Sequence, residues 1–210
     1  RFKYIYDSLI IENSNLTYKQ LSHYYRYDLK VRRVLYKSIT LLETSMKAYI
    51  SNRFASDNIG LKNYTKLLKD TFGQYIVFSD LSKGKLKRIF RNKHNFSLFS
   101  LLEEFDTGLL FDLVIQLCEK SMGDYFDNIV KIEERLKIAN LLRNKVYHHN
   151  IIVVGIHKFR SRQISLNALI STLVGLIPIK VRKNLNEDIN ETIKIDECAD
   201  VSKENMYLIN

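Results

Sequence analysis

Apolar residues recur through positions 18–54 at the spacing of one buried face. Leu35, Ile39, Leu42, Met46, Tyr49 and Ile50 follow one another along it. This periodicity predicts one long helix from Tyr18 to Phe54, with Thr17 as its N-cap after Asn13-Ser14-Asn15. Ser56-Asp57-Asn58 and Gly60 mark a loop. Shorter helices are predicted over 64–72 and 79–94, the latter with a strongly basic middle, and a helical turn over 96–102. Leu109, Leu110, Leu113, Val114 and Leu117 predict a helix over 109–122. Ile132, Leu136, Ala139, Leu142 and Val146 predict a second long one from about 128 to 147. The β-branched run 151–154 reads equally as a short strand or a buried connection. Residues 165–177 are helical again, and Pro178 kinks or ends that helix. The expected organisation is one helical domain over 1–185, with a basic insertion at about 60–100. An acidic tail over 186–210 is helical at its start.

Composition narrows the fold class. Seven Gly and one Pro in 210 residues leave little turn chemistry. A β-sandwich needs many tight turns and a dinucleotide fold needs a Gly-rich phosphate loop, so a mostly helical protein is expected. A hydrophobic content of 46% suffices for a real core. Lys and Arg number 33 against 23 Asp and Glu, a net +10. That excess attracts phosphate, in nucleic acid or on an anionic membrane surface, although codon bias toward Lys, Asn, Ile and Tyr produces the same balance. Cys118 and Cys198 lie far apart with no CxxC, which argues against a disulfide framework or a zinc site and fits a reducing cytoplasm. No signal peptide is read at the N-terminus, where the chain opens on Arg1 as a fragment would. The most apolar stretch, 166–179, is too short to span a bilayer, so no membrane association is expected.

The chemistry concentrates at the end of the second long helix, in Leu141-Leu142-Arg143-Asn144-Lys145-Val146-Tyr147-His148-His149-Asn150. Arg offers a fixed fork of donors to phosphate. His gives or takes a proton near neutral pH, and Asn orients a hydroxyl or an imidazole. Asn144 and His148 are four apart and share a face. Arg143 and His148 are five apart, about 140° around a straight helix. Either the helix distorts at its end, or two copies of the motif face each other across a symmetric dimer. The bland alternative is a helix C-terminus whose His residues complement the macrodipole. The acidic clusters 103–106, 133–134 and 187–188 have no His at a ligand-like offset and there is no HExxH, so neither a metal nor another cofactor is expected. No G-x-S-x-G appears, and Cys118 lies on an apolar helical face as a small buried residue.

Arg143-Asn144 followed by His148-His149 resembles the RNxxxHH form of the RxxxxH signature of HEPN domains. Tyr25-Arg26-Tyr27-Asp28, Val31-Arg32 and Glu43 with Lys47 resemble the N-terminal helix of the Abi-like (abortive infection) proteins. Leu101-Leu102-Glu103-Glu104-Phe105-Asp106-Thr107-Gly108 resembles that family's segment before its middle helix, where a Gly opens the helix. The likeness runs in order from about 22 to 150. Lys47 stands where the family often has Arg, Tyr147 where a small residue often precedes the paired His, and Asn150 where an Arg often follows.

The resemblance implies an all-α HEPN-like helical bundle with long antiparallel helices and additional helices. It implies a homodimer acting as a metal-independent endoribonuclease, a toxin or effector in bacterial defence against phage. Arg143, Asn144 and His148 become the catalytic positions, with His149 adjacent. The alternative is a HEPN module that binds RNA as a scaffold without cutting it. Lys83, Lys85, Lys87, Arg88, Arg91 and Lys93 are the candidate RNA-binding surface, and a solvated basic helix face is the competing reading. Tyr24, Tyr25 and Tyr27 read as packing rather than base-stacking residues. Glu43, amid Leu41, Leu42 and Met46, needs a partner if buried; Arg32, Lys47 and Arg143 are the candidates, so Arg32 and Glu43 are read as supporting residues. Expected partners are RNA, a second copy of the chain, and an antitoxin protein or regulatory RNA.

Overall fold

The computed structural model describes residues 17–54, 61–73, 80–91, 96–121, 125–126, 131–153, 157–159 and 162–193. A capping box starts the longest helix, α1 (Tyr18–Phe54). The Gln20 N–H donates to Thr17 Oγ1 at 3.3 Å, and the Thr17 N–H donates to Gln20 Oε1 at 2.8 Å. There follow α2 (Tyr64–Phe72), α3 (Asp80–Phe90), α4 (Leu98–Glu103), α5 (Thr107–Ser121) and α6 (Ile132–Tyr147). After the antiparallel strands β1 (His157–Phe159) and β2 (Arg162–Ile164) come α7 (Leu166–Leu176) and α8 (Ile179–Ile193). The fold is all-α. The hairpin, which pairs His157 with Ile164, escapes a reading of the sequence because three residues per strand are too few to establish an alternation.

Where elements differ from expectation, the cause is local. Of the run 151–154, residue 154 lies outside the described residues, and 151–153 form the buried connection, with the N–H groups of Ile152 and Val153 bonded to the Asp28 side chain rather than to a neighbouring strand. Phe96 lies outside α4 and donates its N–H to the Leu61 carbonyl at 3.0 Å. Pro178 ends α7 rather than kinking it. Arg182 then folds back from α8, its Nη2 donating to the carbonyls of Ile177 at 2.9 Å and Gly175 at 3.3 Å. The guanidinium thus caps orphan carbonyls of α7.

Two compact units make up the chain, one of residues 1–40 and 137–210, the other of 41–136. In the first, Val31, Leu35 and Ile39 of α1 are buried, as are Leu142 and Val146 of α6 and Leu169 and Leu173 of α7. In the second, Leu42, Met46 and Ile50 continue the α1 stripe, with Leu101, Leu109 and Leu113 also buried. Phe90 meets Phe96 edge-on at 4.4 Å, and Tyr49 meets Tyr125 at 5.0 Å. Burial pushes the Tyr125 hydroxyl up to about 12, against the opposing pull of its hydrogen bond with Ser45. Cys118 is buried on α5.

The start of α5 shows why a Gly stands there. Asp106 is the N-cap, its Oδ1 accepting the Leu109 N–H at 2.9 Å, and Lys85 Nζ lies 2.8 Å from its Oδ2. A Cβ on Gly108 would sit 3.3 Å from that Oδ1 and crowd the cap. Partial burial pushes the Asp106 carboxyl up, but Lys85 and the N–H groups of Leu109 and Gly108 outweigh it and hold it below the ordinary 3.8. The folded chain therefore gives up this proton more readily than the unfolded one. The stabilisation is complete above about pH 4 and fades as the pH falls through the lowered value. Asp106→Ala is expected to cost about 1 kcal/mol at neutral pH. Urea midpoints of wild type and variant should draw together on acidification; a gap that widens would contradict the cap.

Candidate active site

The site is built on the C-terminal turn of α6. Ile132, Leu136, Ala139, Leu142 and Val146 are buried and orient the helix, which leaves Arg143, Asn144, Lys145 and Tyr147 half-buried beside them. Arg143 Nη1 donates to Asn144 Oδ1 at 3.2 Å. The guanidinium carbon also lies 4.2 Å above the centre of the Tyr147 ring, one helical turn on. Tyr147 in turn stacks on Tyr36 of α1, with centroids 4.9 Å apart and planes inclined by 30°. The guanidinium is thus held by an amide on one side and an aromatic ladder on another. Burial lowers the Lys145 ammonium below its ordinary 10.5.

The helix distorts at its end. The Asn150 N–H returns to the Lys145 carbonyl at 2.9 Å, and the His149 N–H returns to the Val146 carbonyl at 3.1 Å. These are the paired bonds of a Schellman cap, with His148 at the cap and His149 in the left-handed position at φ 54°. Glycine usually occupies that position, because a Cβ there is crowded by backbone. His149→Gly is accordingly expected to raise stability by about 0.5–1 kcal/mol, and the β-branched His149→Val to cost about 1–2 kcal/mol, by denaturant titration. Equal midpoints for the two variants would contradict this assignment. His148, His149 and Asn150 are all exposed, and among the described residues neither imidazole has a side-chain hydrogen bond.

Beyond the turn, the chain is pinned at once. Asp28 Oδ1 accepts the N–H of Ile152 at 2.7 Å and of Val153 at 3.2 Å. Its Oδ2 is ion-paired with Arg32, one helical turn along α1. Asp28 is wholly buried and Arg32 nearly so. The exposed His148–Asn150 turn is therefore clamped between a capped helix and a buried acid–base pair. The sequence placed Asp28 in the α1 segment that resembles the family but assigned it neither a partner nor a role. The available signal was a carboxylate on the α1 stripe, four residues before an Arg.

The structure sorts the remaining expected positions. Arg32 takes Asp28 as its partner, not Glu43. Glu43, in the second unit, accepts the hydroxyl of Thr107. Lys47 reaches the Glu103 carbonyl at 3.4 Å. Asn144 engages Arg143 through its side chain, and meets His148 through the backbone bond from the His148 N–H to its carbonyl at 3.0 Å. On α3, Lys83, Lys87 and Arg88 are exposed, as is Arg91 just beyond it, while Leu86 and Phe90 point inward. Lys85 is half-buried and committed to Asp106. Lys93 lies outside the described residues. Tyr24 is buried, and Tyr25 and Tyr27 are half-buried; burial raises Tyr27 to about 12.

A family model described as Abi-like protein matches residues 3–153. The chain belongs to the Abi-like protein family. The match takes in α1, the Gly108 helix start and the whole α6 terminus, and it stops at Val153, the second residue that Asp28 holds. Membership links this Abi-like protein to abortive-infection defence against phage. No curated protein and no solved structure matches it significantly. Among the described residues, no helix is long and apolar enough to cross a membrane, and no three His, Cys, Asp or Glu side chains gather as a metal site.

Proposed function

We propose that this Abi-like protein is a metal-independent endoribonuclease of the HEPN type, acting as an effector of abortive infection. The observation that carries the reading is the α6 terminus, where a guanidinium oriented by Asn144 and Tyr147 sits one turn from two exposed imidazoles.

RNA carries its own nucleophile. A base takes the proton from the 2′-hydroxyl, the 2′-oxygen bonds to phosphorus, and the bond to the 5′-oxygen breaks. An acid returns a proton to that leaving oxygen. The products are a 2′,3′-cyclic phosphate and a 5′-hydroxyl. His148 serves as base or acid. In a homodimer a second copy of His148 supplies the other proton transfer. Arg143 donates to the non-bridging oxygens as the phosphorane gathers charge. Asn144 orients Arg143, and His149 binds phosphate beside it. The exposed cations of α3 add general attraction for RNA.

The test is cleavage of single-stranded RNA in excess EDTA, with the product ends identified. The expected products carry 2′,3′-cyclic phosphate and 5′-hydroxyl ends, and a substrate whose scissile nucleotide is 2′-deoxy should resist completely. RNA binding with no cleavage under any condition would favour the scaffold alternative. Absence of RNA binding would contradict both.

A further inference from the structure

We propose that the exposed face of α1 is the track on which single-stranded RNA reaches the α6 terminus, with Tyr36 stacking a base beside the scissile phosphate. This rests on the ribonuclease reading above and names where its substrate lies. Arg26, Lys30, Arg33 and Lys37 are all exposed. At 100° per residue they fall within an arc of about 60° and run about 16 Å along the helix. That is a straight cationic ridge of the kind a phosphate backbone follows. Its acidic neighbour on the helix, Asp28, points the other way and is buried with Arg32.

Tyr36 ties the ridge to the chemistry. It lies about 60° round the helix from Arg33. It is 50% exposed, an unusual position for a large ring with a stacking partner already in place. That partner is Tyr147, which also carries the Arg143 guanidinium. A base laid on Tyr36 would extend a stack that ends at the proposed charge-stabilising group, and its phosphate would approach the α6 terminus. Every residue in this path belongs to one compact unit, whereas the cations of α3 belong to the other. Asp188 of α8 lies 3.2 Å from Lys37 at one end of the ridge, both exposed. It competes with phosphate for that end.

The experiment is binding of a fluorescent single-stranded 2′-O-methyl RNA dodecamer, uncleavable by 2′-hydroxyl attack, to the full chain across a salt series. Tyr36→Ala is expected to weaken binding about tenfold with an unchanged salt slope, and Tyr36→Phe to restore it. Lys30→Ala with Arg33→Ala should lower the slope of log K against log salt by about 1.4, at roughly 0.7 per lost phosphate contact. Asp188→Asn should tighten binding, while Glu103→Gln, an equal charge change on the other unit, should not. Thermal melts of each variant establish that the fold is retained. Wild-type binding that is unaffected by the α1 variants, or lost only on substituting Lys83, Lys87 and Arg88, would overturn the track while leaving the ribonuclease reading intact. No binding by the wild type would overturn both.

Discussion

Asp28→Ala is expected to destabilise the protein by about 3–5 kcal/mol, a larger stability change than the loss of either helix cap at Asp106 or His149. Three losses combine. Arg32 becomes a buried cation without its carboxylate, and the N–H groups of Ile152 and Val153 lose their acceptor in a dry environment. Typical domains hold only about 5–15 kcal/mol in total, so the effect is a large drop in melting temperature. Asp28→Asn should be nearly as damaging, because an amide keeps an acceptor oxygen but turns no charge toward Arg32. Removing both charges, in Asp28→Leu with Arg32→Met, should recover part of the loss and not all, since the two backbone donors stay orphaned. Full recovery would mean that the backbone bonds contribute nothing.

Arg143→Ala is expected to lower RNA cleavage by about 10²–10³ with little change in melting temperature. The guanidinium is half-buried and rests on Tyr147 without carrying the core, so its loss falls on the chemistry. Arg143→Lys should stay well below wild type, because a single ammonium lacks the planar fork that both lies on the ring and reaches two oxygens. Tyr147→Ala should reduce the rate less than Arg143→Ala, by freeing the guanidinium rather than removing it. Equal rates for wild type and Arg143→Ala would leave the Arg without the assigned role.

Helices with a clean stripe were legible in the chain. Leu35, Ile39, Leu42 and Met46 announced α1, Thr17 announced its start, and Leu142 with Val146 announced the helix that carries the motif. Contacts between distant positions were not legible. Asp28 meets a backbone donor 124 residues away, and only the fold brings them together. The rule applied to Glu43, that a carboxylate among apolar neighbours needs a partner, fits Asp28 better, since it lies between Tyr24 and Val31 on the same stripe. The Tyr36–Tyr147 stack was equally hidden, and with it the means by which Arg143 is held. The end of α6 falls at Tyr147 as expected, but the form of its cap was not legible. No Gly marks its left-handed position, which His149 occupies instead.

The α6 terminus as the seat of chemistry is tested most directly by the rate at which His148→Ala cleaves single-stranded RNA in EDTA, measured beside the wild type. His148 is exposed, so the variant should fold and bind RNA as before. If its imidazole moves the proton, the rate falls by about 10²–10⁴. Cleavage by His148→Ala at the wild-type rate would contradict that role.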